Sequence, residues 1–226
     1  MSRGILIAGN ESPLFSALCR EAAKREETHA AALIPSGKSI EGKPIETPQD
    51  QDLANKQILL EWNSASPISA RTLILSAINR MERIDEAVLV CVPPFFRKTA
   101  EELSPVEIDK FIDGNIKSWF FLVRELATLF SNNKQGMLSL VVSEVNAGSK
   151  DDVPDLFGPA AVSAFRSFAQ RVLISSLTAP YNAMGFSYSE PGEENAFAAY
   201  VFKAMEVGKR NSGKWYKYGK LGLFGR

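Results

Sequence analysis

Strand-like and helix-like segments alternate along the whole of this chain, and that alternation restricts the fold more than any other feature. Short apolar runs fall at residues 4–8, 30–34, 58–62, 87–92, 137–142 and 184–188, and Lys214 to Tyr218 reads as a last strand. Runs of that length, bounded by Gly, Pro or polar residues, read as strands buried in a parallel sheet. Between them the apolar residues recur at helical spacing. Ser12-Pro13 opens a helix carrying Leu14, Leu18, Ala22 and Ala23. Ser is a good N-cap, and Pro suits the first helical position. A second helix carries Ile68, Leu73, Leu75 and Ile78. Ser104-Pro105-Val106-Glu107 forms a capping box for a long helix whose apolar residues run from Ile108 through Ile112, Ile116, Trp119, Phe120 and Val123 to Phe130. Another, near Pro159, carries Val162, Phe165, Phe168, Ala169, Val172 and Leu173, and a last one covers 195–207. Residues 35–57, rich in Pro, Gly, Lys and Gln, read as a loop with a short helical piece. The expectation is an α/β protein: one Rossmann-like, doubly wound parallel sheet of about seven strands with helices on both faces, forming a single domain over 1–226.

The 226 residues suffice for one sizeable core. Lys and Arg together number 26, as do Asp and Glu, so overall charge favours neither nucleic acid nor an anionic membrane. No apolar run approaches the roughly 20 residues a membrane helix needs. The first apolar run, Ile5-Leu6-Ile7, is too short for a signal peptide, so a cytoplasmic protein is expected. Cys19 and Cys91 both sit in apolar settings and read as reduced core thiols. With one His in the chain, His29, neither a His-based triad nor a multi-His metal site is available. His29 follows Glu26, Glu27 and Thr28 at an expected helix-to-strand corner, where a surface position is the expectation.

Taken in order, seven landmarks give the chain a resemblance to the short-chain dehydrogenase/reductase family over nearly its whole length. The first is the turn Ile7-Ala8-Gly9-Asn10-Glu11-Ser12-Pro13-Leu14-Phe15. The family has a glycine-rich turn here that lets a dinucleotide pyrophosphate approach a helix N-terminus. Gly9 matches, while Pro13 and Phe15 stand at the other two glycine positions. The resemblance makes Gly9 and Asn10 candidates for holding NAD(P); the plainer reading is an ordinary strand-to-helix turn bending at Gly9. Asn63 falls where the family contacts the adenine, and is otherwise a turn residue. Val90-Cys91-Val92-Pro93-Pro94 stands where the family has Asn-Asn-Ala-Gly.

Asn115, in Ile112-Asp113-Gly114-Asn115-Ile116, falls at the family's catalytic Asn. Gly and Asn are poor residues for a helix interior, so the alternative is a kink held by an Asn-to-backbone hydrogen bond. Ser143, ending the run that starts at Gly136, aligns with the Ser that holds the substrate carbonyl. The family then places Tyr-x-x-x-Lys at the start of the next helix. One register puts Gly158 and Val162 at these positions, and the adjacent one puts Phe157 and Ala161 there. Neither supplies the phenol or the cation that general acid catalysis of this kind needs. Pro191-Gly192 matches the Pro-Gly bordering the nicotinamide, but the mobile lid that follows in the family is trimmed or absent. Gly213-Lys214-Trp215-Tyr216 resembles the closing Gly and the final strand.

Three functions follow. Losses around one cleft point to a non-catalytic binding or assembly protein, a homo-oligomer (dimer or tetramer) formed through the wide apolar faces of helices 105–130 and 159–177. The alternative is a divergent NAD(P)-dependent oxidoreductase that keeps Ser143 and Asn115 and takes its proton from Tyr188 or Glu144. The third is polyanion binding through the C-terminal Lys203, Lys209, Arg210, Lys214, Lys217, Lys220 and Arg226 with Trp215, Tyr216 and Tyr218. Neutral overall charge argues against nucleic acid, and alternation on a terminal strand produces the same pattern.

Overall fold

In the computed structural model, the described residues are 3–25, 28–33, 57–93, 95–96, 98–145 and 155–219. The loop and helical piece read at 35–57 lie outside them apart from Gln57, as do Glu26, Glu27, Ile34, Pro94, Lys220 and Arg226. Among the described residues, seven strands form one sheet: β1 Gly4–Gly9, β2 Thr28–Leu33, β3 Gln57–Glu61, β4 Glu86–Cys91, β5 Met137–Ser143, β6 Asn182–Tyr188 and β7 Trp215–Tyr218. Every strand pair is parallel, and the order is β3-β2-β1-β4-β5-β6-β7. The order reverses between β1 and β4, the place where an open α/β sheet forms its ligand crevice.

The helices are α1 Pro13–Ala23, α2 Pro67–Met81, α3 Pro105–Ile112, α4 Ser118–Asn133, α5 Phe157–Ser176 and α6 Glu194–Glu206. Ser12, Ser66 and Ser104 each cap their helix through the side chain with Pro following, and Ser104 with Glu107 completes the capping box. Alternation along each strand divides the core. Leu6, Ala8, Leu138, Leu140 and Val142 face a cluster with α2, α4 and α5. Ile5, Ile7, Val88, Val90 and Val141 face one with α1 and α6.

Two sequence expectations change. His29 lies within β2, because α1 ends at Ala23 and the parallel register pairs Gly4 with Thr28 and Ile5 with His29. The long helix expected over 105–130 is two helices joined by a π-helical turn, Asp113–Lys117. Cys19 and Cys91 belong to the clusters on opposite faces of the sheet and are free. Burial pushes each thiol up to about 12, which suits inert core residues.

Candidate functional site

The turn after β1 is built for tight packing. A Cβ on Gly9 would come within 2.6 Å of the Val90 carbonyl oxygen and 3.4 Å of the Phe15 ring. Phe15 is therefore not a wall of the crevice; it is buried in the core beneath the turn, and Pro13 is the exposed residue. At the start of α1, Pro13 has no amide hydrogen, and the Phe15 amide donates to Ser12 Oγ at 3.1 Å. The Asn10 side-chain amide reaches across the switch point to the Val92 carbonyl, at 3.5 Å. A helix N-terminus holds a pyrophosphate through free amides that point at it. Here one of the first three amides is absent and another is spent on the cap. These residues do not fit a dinucleotide pyrophosphate.

Asn63 is a turn residue in this structure. Its Oδ1 accepts from the Ala65 amide at 3.0 Å, its own amide donates to Ser69 Oγ, and its carbonyl accepts from Ser66, the cap of α2. These bonds organise the start of α2 and leave the side chain exposed.

Asn115 sits in the π turn and is buried, 6 % exposed. A π turn inserts one residue into the helix. The Asn115 side-chain amide donates to the Phe111 carbonyl, one turn earlier, at 3.1 Å. Ser118 Oγ donates to the Gly114 carbonyl at 2.7 Å in the same way. Asn115 Oδ1 itself has no hydrogen-bond partner among the described residues. With Trp119, Phe120, Phe165 and Phe168 it lines a shallow hollow between α4 and α5.

Ser143 ends β5 opposite Tyr188 of β6 in the parallel register. Its Oγ accepts from the Val145 amide at 3.4 Å. Its hydroxyl also lies close enough to the phenol of Tyr188 to hold down part of that group's pKa rise. Tyr188 is 3 % exposed, its ring stacks on Phe197 at 4.7 Å, and its hydroxyl donates to Glu194 Oε1 at 3.4 Å. Burial above all raises the pKa of this phenol, and the Glu194 carboxylate adds to the rise. A proton donor working near neutral pH requires the opposite shift. Glu144 is paired: Arg166 donates to its Oε1 at 2.9 Å, and the guanidinium lies over the Trp215 ring.

The start of α5 is the most informative place. Asp155, just ahead of the helix, accepts at Oδ1 from the amides of Phe157 (3.1 Å), Gly158 (3.0 Å) and Phe96 (3.3 Å). A Cβ on Gly158 would land on that carboxylate. The adjacent register fares no better. Phe157 is buried, stacked on Phe111 at 4.2 Å and tilted against Phe96 at 5.2 Å, and Ala161 is fully enclosed in the same cluster. Nothing in the sequence around 158 identified this aromatic cluster, because Phe96 and Phe111 reach it from other segments. Asp155 had a local signal, an Asp immediately ahead of an apolar helix start.

Pro191 and Gly192 form the turn between β6 and α6. Gly192 has φ +86, and its amide donates to Glu194 Oε1 at 3.2 Å. Only residues 189–193 join the two elements, so no lid segment intervenes here. Among the described residues no hydrogen bond joins Asn115, Ser143 and the start of α5. At the C-terminal edge, Tyr216 and Tyr218 pack into the α6-side core while Trp215 packs on the other face, its Nε1 donating to Ser187 Oγ at 3.2 Å. The aromatics that the sequence sets beside basic residues are thus engaged in packing. Among the described residues no group of His, Cys, Asp and Glu is arranged to hold a metal ion, and no helix is long and apolar enough to cross a membrane.

The fold is that of the short-chain dehydrogenases/reductases. An NADH-dependent reductase, A1-R', whose structure was solved complexed with NAD, superposes with a TM-score of 0.73 at 12 % sequence identity, over 96 % of this chain and 94 % of that one. A short chain dehydrogenase from Mycobacterium smegmatis superposes with a TM-score of 0.73 at 14 % identity, over 97 % and 93 %. No protein-family model matches the sequence, and no curated protein is similar to it. Identity this low establishes the fold alone.

Proposed function

We propose that this chain keeps the short-chain dehydrogenase/reductase fold without NAD(P)-dependent carbonyl or alcohol oxidoreduction, and acts in the cytoplasm as a non-catalytic binding or assembly protein. The observation that carries this reading is the occupancy of the proton donor's place. The Asp155 carboxylate fills the space where a side chain at 158 would begin, and Phe157 lies inside an aromatic cluster. The crowded turn at Gly9, the amide missing at Pro13 and the Phe15 amide spent on the cap support it from the cofactor side. Tyr188 and Glu144, the remaining candidates for a donor, are engaged by Glu194 and Arg166.

The assembly surface of this reading is the outer face of α4 and α5. Phe120 is 52 % exposed and its ring lies 4.2 Å from that of Phe168 across the two helices, with Ile174 exposed further along α5. An aromatic pair at the surface beside a hollow is the kind of apolar face that association covers. A homodimer or tetramer built there is expected to dissociate when a charge is placed at its centre. Sedimentation equilibrium should find an oligomer for the wild type and a folded monomer for Phe120→Glu. A wild type that stays monomeric at high concentration removes self-association from the proposal.

A further inference from the structure

The hollow between α4 and α5 is lined by two buried side chains whose polar atoms lack partners of opposite kind. Asn115 and Trp119 are 6 % and 1 % exposed. Among the described residues neither Asn115 Oδ1, an acceptor, nor Trp119 Nε1, a donor, has a hydrogen-bond partner. The bond from Asn115 Nδ2 to the Phe111 carbonyl fixes which way the amide points, so the atom left over is the oxygen. The hydroxyl nearest along the helix, that of Ser118, is committed to the Gly114 carbonyl. Asn115 and Trp119 stand one turn apart, a spacing that sets side chains on one face of a helix. The remaining wall is apolar, with Phe165 edge-on to Trp119 and Phe168 beside Phe120. Phe120 is exposed and stands at the solvent end. A buried donor and a buried acceptor in one apolar hollow form a complementary pair that a single polar group satisfies.

We propose that this hollow is a binding site for the hydroxyl group of a small phenol or cyclic alcohol. A hydroxyl is neutral and, through one oxygen, accepts from Trp119 Nε1 and donates to Asn115 Oδ1. A carbonyl or an ether only accepts, and an ammonium only donates, so each would leave one of the two atoms unserved. The ring of the ligand then lies against Phe165 and Phe168 in the offset or edge-on arrangements that aromatic pairs prefer. Phe120 turns aside to admit it, a rotamer change that an exposed side chain makes readily. Water offers the same hydroxyl chemistry but gains nothing from the rings. The site lies within one protomer and uses neither Ser143 nor the turn at Gly9, so it goes beyond the proposed function and does not depend on it.

Fluorine NMR of 4-fluorophenol with the wild-type protein tests the site, against fluorobenzene, which keeps the ring and lacks the hydroxyl. Dilute protein is used, so that association at this face plays no part. The expected result is saturable binding of 4-fluorophenol and binding weaker by about tenfold or more for fluorobenzene, which leaves both atoms unpaired. Trp119→Phe, which keeps a ring against Phe165 and removes the donor, should weaken 4-fluorophenol by a similar factor. A second reading needs no variant. The chain has three tryptophans, and only the indole proton of Trp119 should shift as the phenol binds, while those of Trp62 and Trp215 hold their positions. Equal affinity for the two compounds overturns the proposal, because the hollow would then read the ring alone. So does the absence of saturable 4-fluorophenol binding at millimolar concentration, which leaves water as the only hydroxyl compound for the hollow. Binding that shifts Trp62 or Trp215 in place of Trp119 overturns it as well, by placing the phenol elsewhere.

Discussion

Gly158→Tyr is expected to destabilise the protein by about 2 to 4 kcal/mol and to confer no reductase activity, alone or together with Val162→Lys. A Cβ at 158 meets the Asp155 carboxylate, so the carboxylate must leave the amides of Phe157, Gly158 and Phe96. Loss of a helix cap costs about 1 kcal/mol. Forcing a ring into a region already filled by Phe157, Phe111 and Phe96 adds about 1 to 3 kcal/mol of overpacking. Val162 is half-buried against the core below, so a Lys there would need a route out to solvent. Urea denaturation measures the first effect, and oxidation of NADH with a panel of aldehydes and ketones measures the second. A double variant that folded at wild-type stability and turned over would mean that the site is latent and lacks only two side chains.

Trp119→Ala should have a comparable or larger effect on stability, about 3 to 5 kcal/mol, the usual cost of emptying a core site of a large aromatic. Trp119 is 1 % exposed at the start of α4, edge-on to Phe165 of α5 at 5.3 Å, and it holds the two helices of the proposed assembly face together. Its Nε1 is buried without a hydrogen-bond partner among the described residues. Leaving such a group unpaired costs roughly 1 to 3 kcal/mol. Trp119→Phe removes that penalty while keeping a ring against Phe165, so it should cost clearly less than Ala. Thermal or urea unfolding of the two variants separates the contributions. Equal losses for Phe and Ala would show that the indole nitrogen is better served than its surroundings suggest.

Much of the architecture was legible because parallel strands buried on both faces must be continuous apolar runs. Ile5-Leu6-Ile7 and Leu138 to Val142 allow no other reading once helical patterns separate them. Element ends were less legible. The start of β2 depends on its register against β1, a long-range constraint that moved His29 from a corner into a strand. The Gly114-Asn115 pair announced a break in the long helix. It did not say that the break is a π turn in which Asn115 serves the carbonyl of Phe111, since that depends on backbone hydrogen-bond register.

The candidate site divides in the same way. Absences were readable directly: no Tyr or Lys follows Ser143 at the right distance, whichever register is taken. What fills the vacated volume was not readable. Asp155 at Gly158 is a local contact with a local signal, but Phe15 turned into the core under Gly9, Arg166 on Glu144 and Glu194 on Tyr188 join different elements and are fixed only when helices and sheet come together.

The central claim is that this fold persists without its usual cofactor, and calorimetric titration of the purified protein with NAD, NADH, NADP and NADPH tests it most directly. The account predicts no heat of binding and no thermal shift at millimolar concentrations of any of the four. Micromolar binding of any one would contradict it. Such a result would mean that the pyrophosphate is held despite Pro13 and the spent amide of Phe15, and the oxidoreductase reading would then take precedence.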